Sequence, residues 1–204
     1  MNTRLAILPL LALAASLAAC GSDGGDSATG AAMATSSAPS PTASGTAAGE
    51  PFGPGCSAVP ASGKGSFTGM AADPVATAAS NNPVLSTLVA AVQKAGLVDT
   101  LNTADGITVF APTNDAFAKI PKETLDKVLA DKKTLTDLLT YHVVQGRKSP
   151  ADLRQANLTT LQGGQIATSG SGEEYTAGKA KVVCGNVDTR NATVYLIDTV
   201  LMPS

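Results

Sequence analysis

The first apolar block runs from Leu5 to Ala19, broken only by Pro9 and Ser16, behind a short start whose one charge is Arg4. A basic start, an apolar run of this length and the small residues before Cys20 predict an export signal over residues 1–19. The run falls short of the roughly 20 residues that a membrane-spanning helix needs. The pattern then loses all periodicity. Gly21 to Glu50 is almost entirely Gly, Ser, Ala, Thr and Pro, with three acids (Asp23, Asp26, Glu50), no base and no aromatic residue. Such a stretch cannot bury enough apolar surface to offset the entropy of ordering it. Residues 20–50 are therefore expected to form a flexible tether reaching roughly 30 Å. Its Ser/Thr/Pro mixture over 35–46 suits either a bare spacer or an O-glycosylated stalk.

Periodicity returns beyond residue 51, first with a helical repeat. Asp73-Pro74 reads as an N-cap followed by Pro at the first helical position, opening a short helix over 75–80. Asn82-Pro83 repeats the device. Val84, Leu85, Leu88, Val89 and Val92 then fall on one helical face, and Gly96 is placed to end it. Leu97 to Leu101 suggests one more turn. Asp105-Gly106 is a turn signal before a buried strand, Ile107 to Phe110. Thr113 caps the next helix, with Asp115 in its first turn, where the helix dipole favours an anion. Pro121 stops that helix. Leu125, Val128 and Leu129, and then Leu135, Leu138 and Leu139, mark two further amphipathic stretches, the second ending near Tyr141. Ser149-Pro150-Ala151-Asp152 is a capping box opening a last short helix.

The spacing then switches to strands. Residues 158–161, 165–168, 174–176, 180–184 and 193–201 are separated by Gly-Gly, Ser-Gly-Ser-Gly and Asp-Thr-Arg-Asn, which are hairpin connections. Helices followed by an antiparallel run predict an α+β domain rather than a doubly wound sheet. No internal repeat is visible within it.

Composition narrows the chemistry. What remains after the signal and tether is the size of one domain. The full chain has 14 basic and 16 acidic residues and a formal charge of −2. Removing the signal takes away only Arg4. With no run of bases longer than two, nucleic-acid binding through phosphate neutralisation is not expected. Cys20, Cys56 and Cys184 are the three cysteines. Leu17 to Cys20 resembles the bacterial lipobox, which implies cleavage before Cys20 and acylation of that residue. The other reading is a secreted protein cut nearby, with Cys20 lost or free. If Cys20 is lipidated, Cys56 and Cys184 are left either as a disulfide, which an exported compartment permits, or as two free thiols. Neither lies in a CxxC spacing.

Three stretches together resemble a known family, the fasciclin (FAS1) domain. They are Thr108-Val109-Phe110-Ala111-Pro112-Thr113-Asn114-Asp115-Ala116-Phe117, then Tyr141-His142-Val143-Val144, then Val194-Tyr195-Leu196-Ile197-Asp198-Thr199-Val200-Leu201. Their order and spacing fit one domain over residues 73–204, preceded by an extension, 51–72, stapled to it if Cys56 and Cys184 pair. The exported, single-domain layout also resembles the fasciclin-type surface antigens of mycobacteria. The resemblance implies a β-wedge of antiparallel strands flanked by short helices, an extracellular location and a part in cell adhesion or matrix contact.

Residue by residue, Phe110 and Phe117 read as core anchors, as do Ile197 and Val200. Asp198 interrupts an apolar strand, so it is expected to be exposed or hydrogen-bonded. His142, the single histidine, reads either as a buried residue pinning a helix-to-strand junction or, with Tyr141, as part of a receptor-binding element that the resemblance implies. Tyr141, His142 and Asp198 are therefore the candidate binding residues. Catalysis has little to work with. There is no G-x-S-x-G elbow, no H-E-x-x-H and no clustered Cys/His spacing for a metal. Glu173 and Glu174 are adjacent, so on a strand they face opposite ways. No cofactor and no enzymatic activity is expected. Asn157-Leu158-Thr159 and Asn191-Ala192-Thr193 match the N-glycosylation pattern, which in a bacterial chain is read as coincidence. The expected protein is a lipid-anchored surface recognition module whose partner is an extracellular protein or an envelope glycan. The alternatives are a carrier or sensor of an apolar ligand, and a purely structural envelope component.

Overall fold

The computed structural model describes residues 49–203. The expected signal, Cys20 and the tether up to residue 48 lie outside them. The described chain opens with a 3₁₀ turn, Pro54–Ala58, and α1 (Phe67–Ala72), whose N-terminal Ser66 hydroxyl accepts from the Gly69 amide. α2 (Val75–Ser80) follows, then a 3₁₀ turn at Pro83–Leu85 leading into α3 (Ser86–Ala95) and α4 (Val98–Thr103). Gly96 ends α3 at φ +75°, a left-handed conformation that glycine adopts without a Cβ clash.

The reading of Asp73 as the α2 cap is corrected. Pro74 occupies the N-cap position and has no capping side chain of its own. The Val75 amide instead donates to Asn191 Oδ1 at 2.9 Å, and the Ala76 amide to Asn102 Oδ1 at 3.1 Å. The helix start is thus satisfied by residues remote in sequence, which a local pattern cannot reveal.

Next come β1 (Ile107–Pro112), α5 (Asn114–Ala118), α6 (Lys122–Ala130), α7 (Lys132–Tyr141) and a three-residue β2 (Val143–Gln145). Thr113 caps α5 as expected, accepting from Ala116 N. Ser149 and Asp152 form the expected capping box, on a 3₁₀ turn at Pro150–Leu153. The last third is β3 (Gln155–Thr159), β4 (Gln165–Ser171), β5 (Glu174–Ala177), β6 (Ala180–Asp188) and β7 (Ala192–Ile197).

The seven strands form one sheet in the order β2-β1-β7-β6-β5-β4-β3. From β3 to β7 each neighbour is antiparallel, as expected. The FAS1-like α+β wedge is present as expected, and one pair makes its sheet mixed. β1 lies parallel to β7, from Ile107 opposite Ala192 to Pro112 opposite Ile197. Both strands are buried at every position. Strands covered on both faces need apolar residues on both, which is why these two runs do not alternate. A bridge between Val144 and Thr160 brings the outer strands β2 and β3 towards each other, so the sheet curls on itself.

Two cores result. Val109, Ala111, Val194 and Leu196 face the helices, against Leu85, Leu88, Leu135 and Leu138. Phe110, Tyr195 and Ile197 face the inside of the curl, against Leu158, Ile166 and Tyr175. Successive residues of one strand thus feed opposite cores, as the two-residue period requires. The Cys56–Cys184 disulfide joins the first 3₁₀ turn to β6 across 128 residues of sequence. Gly53, at φ +106°, and Gly55 let that turn lie directly on Val183, where a Cβ would collide.

Candidate recognition site

The Tyr141-His142 pair is split by its burial. α7 ends at Tyr141, and His142 turns inward at 2 % exposure. Its Nδ1 lies 2.8 Å from the Leu138 carbonyl, and the Leu201 amide donates to its Nε2 at 3.0 Å. A carbonyl can only accept and an amide N–H can only donate. The ring is therefore neutral, with its proton on Nδ1. Burial, offset in part by the Leu138 carbonyl, pushes its pKa down to about 4. His142 pins the end of α7 to the segment after β7, and no part of it is offered to a partner. Tyr141 is half-buried, and its hydroxyl donates to the Gln165 carbonyl at 3.0 Å.

Asp198 sits elsewhere, just past the end of β7. It accepts from the Lys181 amide at 2.8 Å and from the Thr199 hydroxyl at 3.0 Å, and pairs with the Lys119 ammonium at 2.9 Å. Burial alone would raise its pKa. The Lys119 ammonium, the Lys181 amide and the Thr199 hydroxyl outweigh that and hold the carboxylate below its ordinary value. Among the described residues no hydrogen bond links Asp198 to Tyr141 or His142.

Asp198 has a different set of neighbours. It lines an open groove of about 340 Å³. Because β1 and β7 are parallel, the segments leaving them emerge at the same end of the sheet. Thr113, Asn114 and Asp115 follow β1 and line the same groove. Asn114 is fixed in place, accepting from the Thr87 amide and donating to the Pro83 carbonyl. Gly55 and Ala58 of the disulfide-held turn also line it, and Val84 and Val183 add apolar surface. Asp115 is exposed, and among the described residues it has no ion pair or side-chain hydrogen bond. The sequence reading missed this groove because Asp115 looked like a helix-dipole partner only. The non-alternating apolar runs of β1 and β7 signal burial on both faces but not the parallel pairing that brings Asp115 and Asp198 to one groove, so no local signal marks it.

A second cavity lies between the helices and the sheet, bounded by Leu85, Val92, Leu139 and Val194 among others. Its lining is almost wholly apolar and its volume is about 40 Å³. Among the described residues no group of three His, Cys, Asp or Glu side chains could hold a metal ion.

Comparison with known proteins agrees with these motifs. The fasciclin domain model matches residues 83–203. Immunogenic protein MPB70 of Mycobacterium bovis is 50% identical over 165 residues, covering 77% of this chain and 84% of that protein. Cell surface glycolipoprotein MPB83 of the same species is 49% identical over 160 residues, covering 74% of this chain and 72% of that protein. Among solved structures, a FAS1 domain pair from the insect cell adhesion molecule Fasciclin I matches with a TM-score of 0.48 at 21% identity, over 58% of this chain and 45% of that one. With the three motifs in place on one sheet and the family model spanning them, the chain belongs to the fasciclin domain family.

Proposed function

We propose that this protein is a recognition module at the cell surface, held to the membrane by a lipid on Cys20 and binding an extracellular protein or envelope glycan without chemical turnover. The observation that carries this reading is the open groove at the ends of β1 and β7. It is built from two of the three stretches that define the family, and its volume falls in the range of ordinary ligand pockets, roughly 300–1,000 Å³. Relatives of similar length support the location, since MPB83 is named a cell surface glycolipoprotein. The groove holds no nucleophile with an adjacent base. The one histidine has both ring nitrogens committed to the fold.

The carrier reading has one feature in its favour, the apolar cavity under the helices. At about 40 Å³ it is far smaller than a lipid chain requires, so binding there would need α2 and α3 to move off the sheet. The two readings separate in one preparation. Purified protein is immobilised and exposed to envelope extract and to matrix proteins, while a second portion is extracted with organic solvent for lipid analysis. Saturable binding with no stoichiometric extractable, non-covalent lipid supports recognition. A stoichiometric extractable lipid with no binding supports the carrier.

A further inference from the structure

We propose that the groove beside Asp198 receives the side chain of an arginine or lysine presented by a protein partner. This rests on the recognition reading and narrows its partner to a protein with an exposed basic residue. The groove has two chemically distinct parts. Ala58, Val84 and Val183 give it apolar walls that would lie along an aliphatic stem. Two carboxylates, Asp115 and Asp198, line the same space and would meet a cationic head. Long basic side chains have this division, an apolar stem and a charged tip.

The protein's own Lys119 shows the chemistry on one of the two carboxylates. Its ammonium approaches Asp198 to 2.9 Å from the exposed side, with 53% of the lysine side chain still in solvent. Exposed pairs of this kind contribute little to stability. Lys119 can therefore swing out at small cost when a better-placed cation arrives. Asp115 needs no such exchange, because no described side chain engages it. Asp198 keeps its orientation throughout, since its other oxygen stays bonded to the Lys181 amide and the Thr199 hydroxyl. A fixed carboxylate, an unengaged one and apolar walls favour a guanidinium or ammonium over a neutral sugar.

The test is a titration of the ¹⁵N-labelled full chain with N-acetylarginine N-methylamide, followed by amide NMR, beside the isosteric citrulline compound. Saturable shifts should concentrate at Asn114, Asp115, Val183 and Asp198, with the citrulline probe much weaker. Asp115→Asn, on an exposed side chain, should weaken the arginine probe about fivefold, and Lys119→Met should tighten it by a similar factor by removing the internal competitor. Equal shifts at every surface carboxylate, or an arginine affinity unchanged in Asp115→Asn, would overturn the proposal. Capture of a surface or matrix partner that Asp115→Asn leaves intact would sink this inference while the recognition reading stands. A probe that binds as predicted on a protein capturing no partner would do the reverse.

Discussion

The Leu201 amide donates to Nε2 of His142 at 3.0 Å, tying the chain after β7 to the end of α7. The bond requires a neutral ring, which makes the fold sensitive to acid. The folded pKa is lowered to about 4, below the ordinary histidine value of about 6.5, so the unfolded chain binds this proton first. Stability from this group is complete above about pH 6.5 and is lost progressively as the pH falls towards 4, by about 3 kcal/mol in all. Urea unfolding at pH 7 and at pH 4.5 measures the loss. His142→Ala should lower stability at pH 7 by about 2–4 kcal/mol, leaving the Leu201 amide and Leu138 carbonyl without partners, and should remove this part of the pH dependence.

Asn191 has a comparable role on the other side of the domain. Its Oδ1 caps α2 at Val75, while its Nδ2 donates to the carbonyls of Leu101 and Ala104. One side chain thus closes the start of one helix and the end of another. Asn191→Ala should destabilise the domain by about 2–4 kcal/mol in thermal or urea unfolding, because several buried backbone groups lose partners together. The same bonds bury Asn191, so its N-glycosylation pattern cannot be used in the folded protein, whereas Asn157 is exposed.

Much of this architecture was legible in the sequence, and the omissions share a cause. The caps at Ser149 and Thr113, the stop at Gly96 and the five closing strands are signals between residues a few positions apart. The Asn191 and Asn102 caps on α2, the parallel β1–β7 pair and the groove between Asp115 and Asp198 are relationships across 26 to 116 residues. Non-alternating apolar runs at Ile107–Pro112 and Ala192–Ile197 announced burial on both faces, but not which way the strands ran. For the candidate site, sequence reasoning singled out Asp198 but grouped it with Tyr141 and His142. Burial separates them, because a histidine satisfied by two backbone groups and a histidine offered to a receptor look alike in one sequence.

The disulfide should contribute substantially. It closes 128 residues of chain, for which loop entropy suggests up to about 5 kcal/mol. Replacing both Cys56 and Cys184 by Ala should lower the unfolding temperature sharply. It should also broaden the amide signals of Gly55 and Ala58, since the turn that walls the groove loses its tie to β6.

The proposed lipid anchor makes a separate prediction, by mass. Protein extracted from membranes should begin at an acylated Cys20 and weigh two hydrogens less than its reduced form, for the Cys56–Cys184 bond. A mass retaining Met1, or one beginning elsewhere without lipid, would remove the anchor from the account and leave the domain unaffected.

Binding isotherms of the purified protein and its Ala58→Trp variant, on envelope extract and on immobilised matrix proteins, bear on recognition itself. Ala58 lines the groove and is exposed, so a larger side chain there takes up groove space without entering the core. A recognition module should bind saturably and lose about tenfold in affinity when the groove is filled, the scale of truncating one anchored contact. Absence of saturable binding to any surface, in a protein that carries a stoichiometric non-covalently bound lipid, would contradict it.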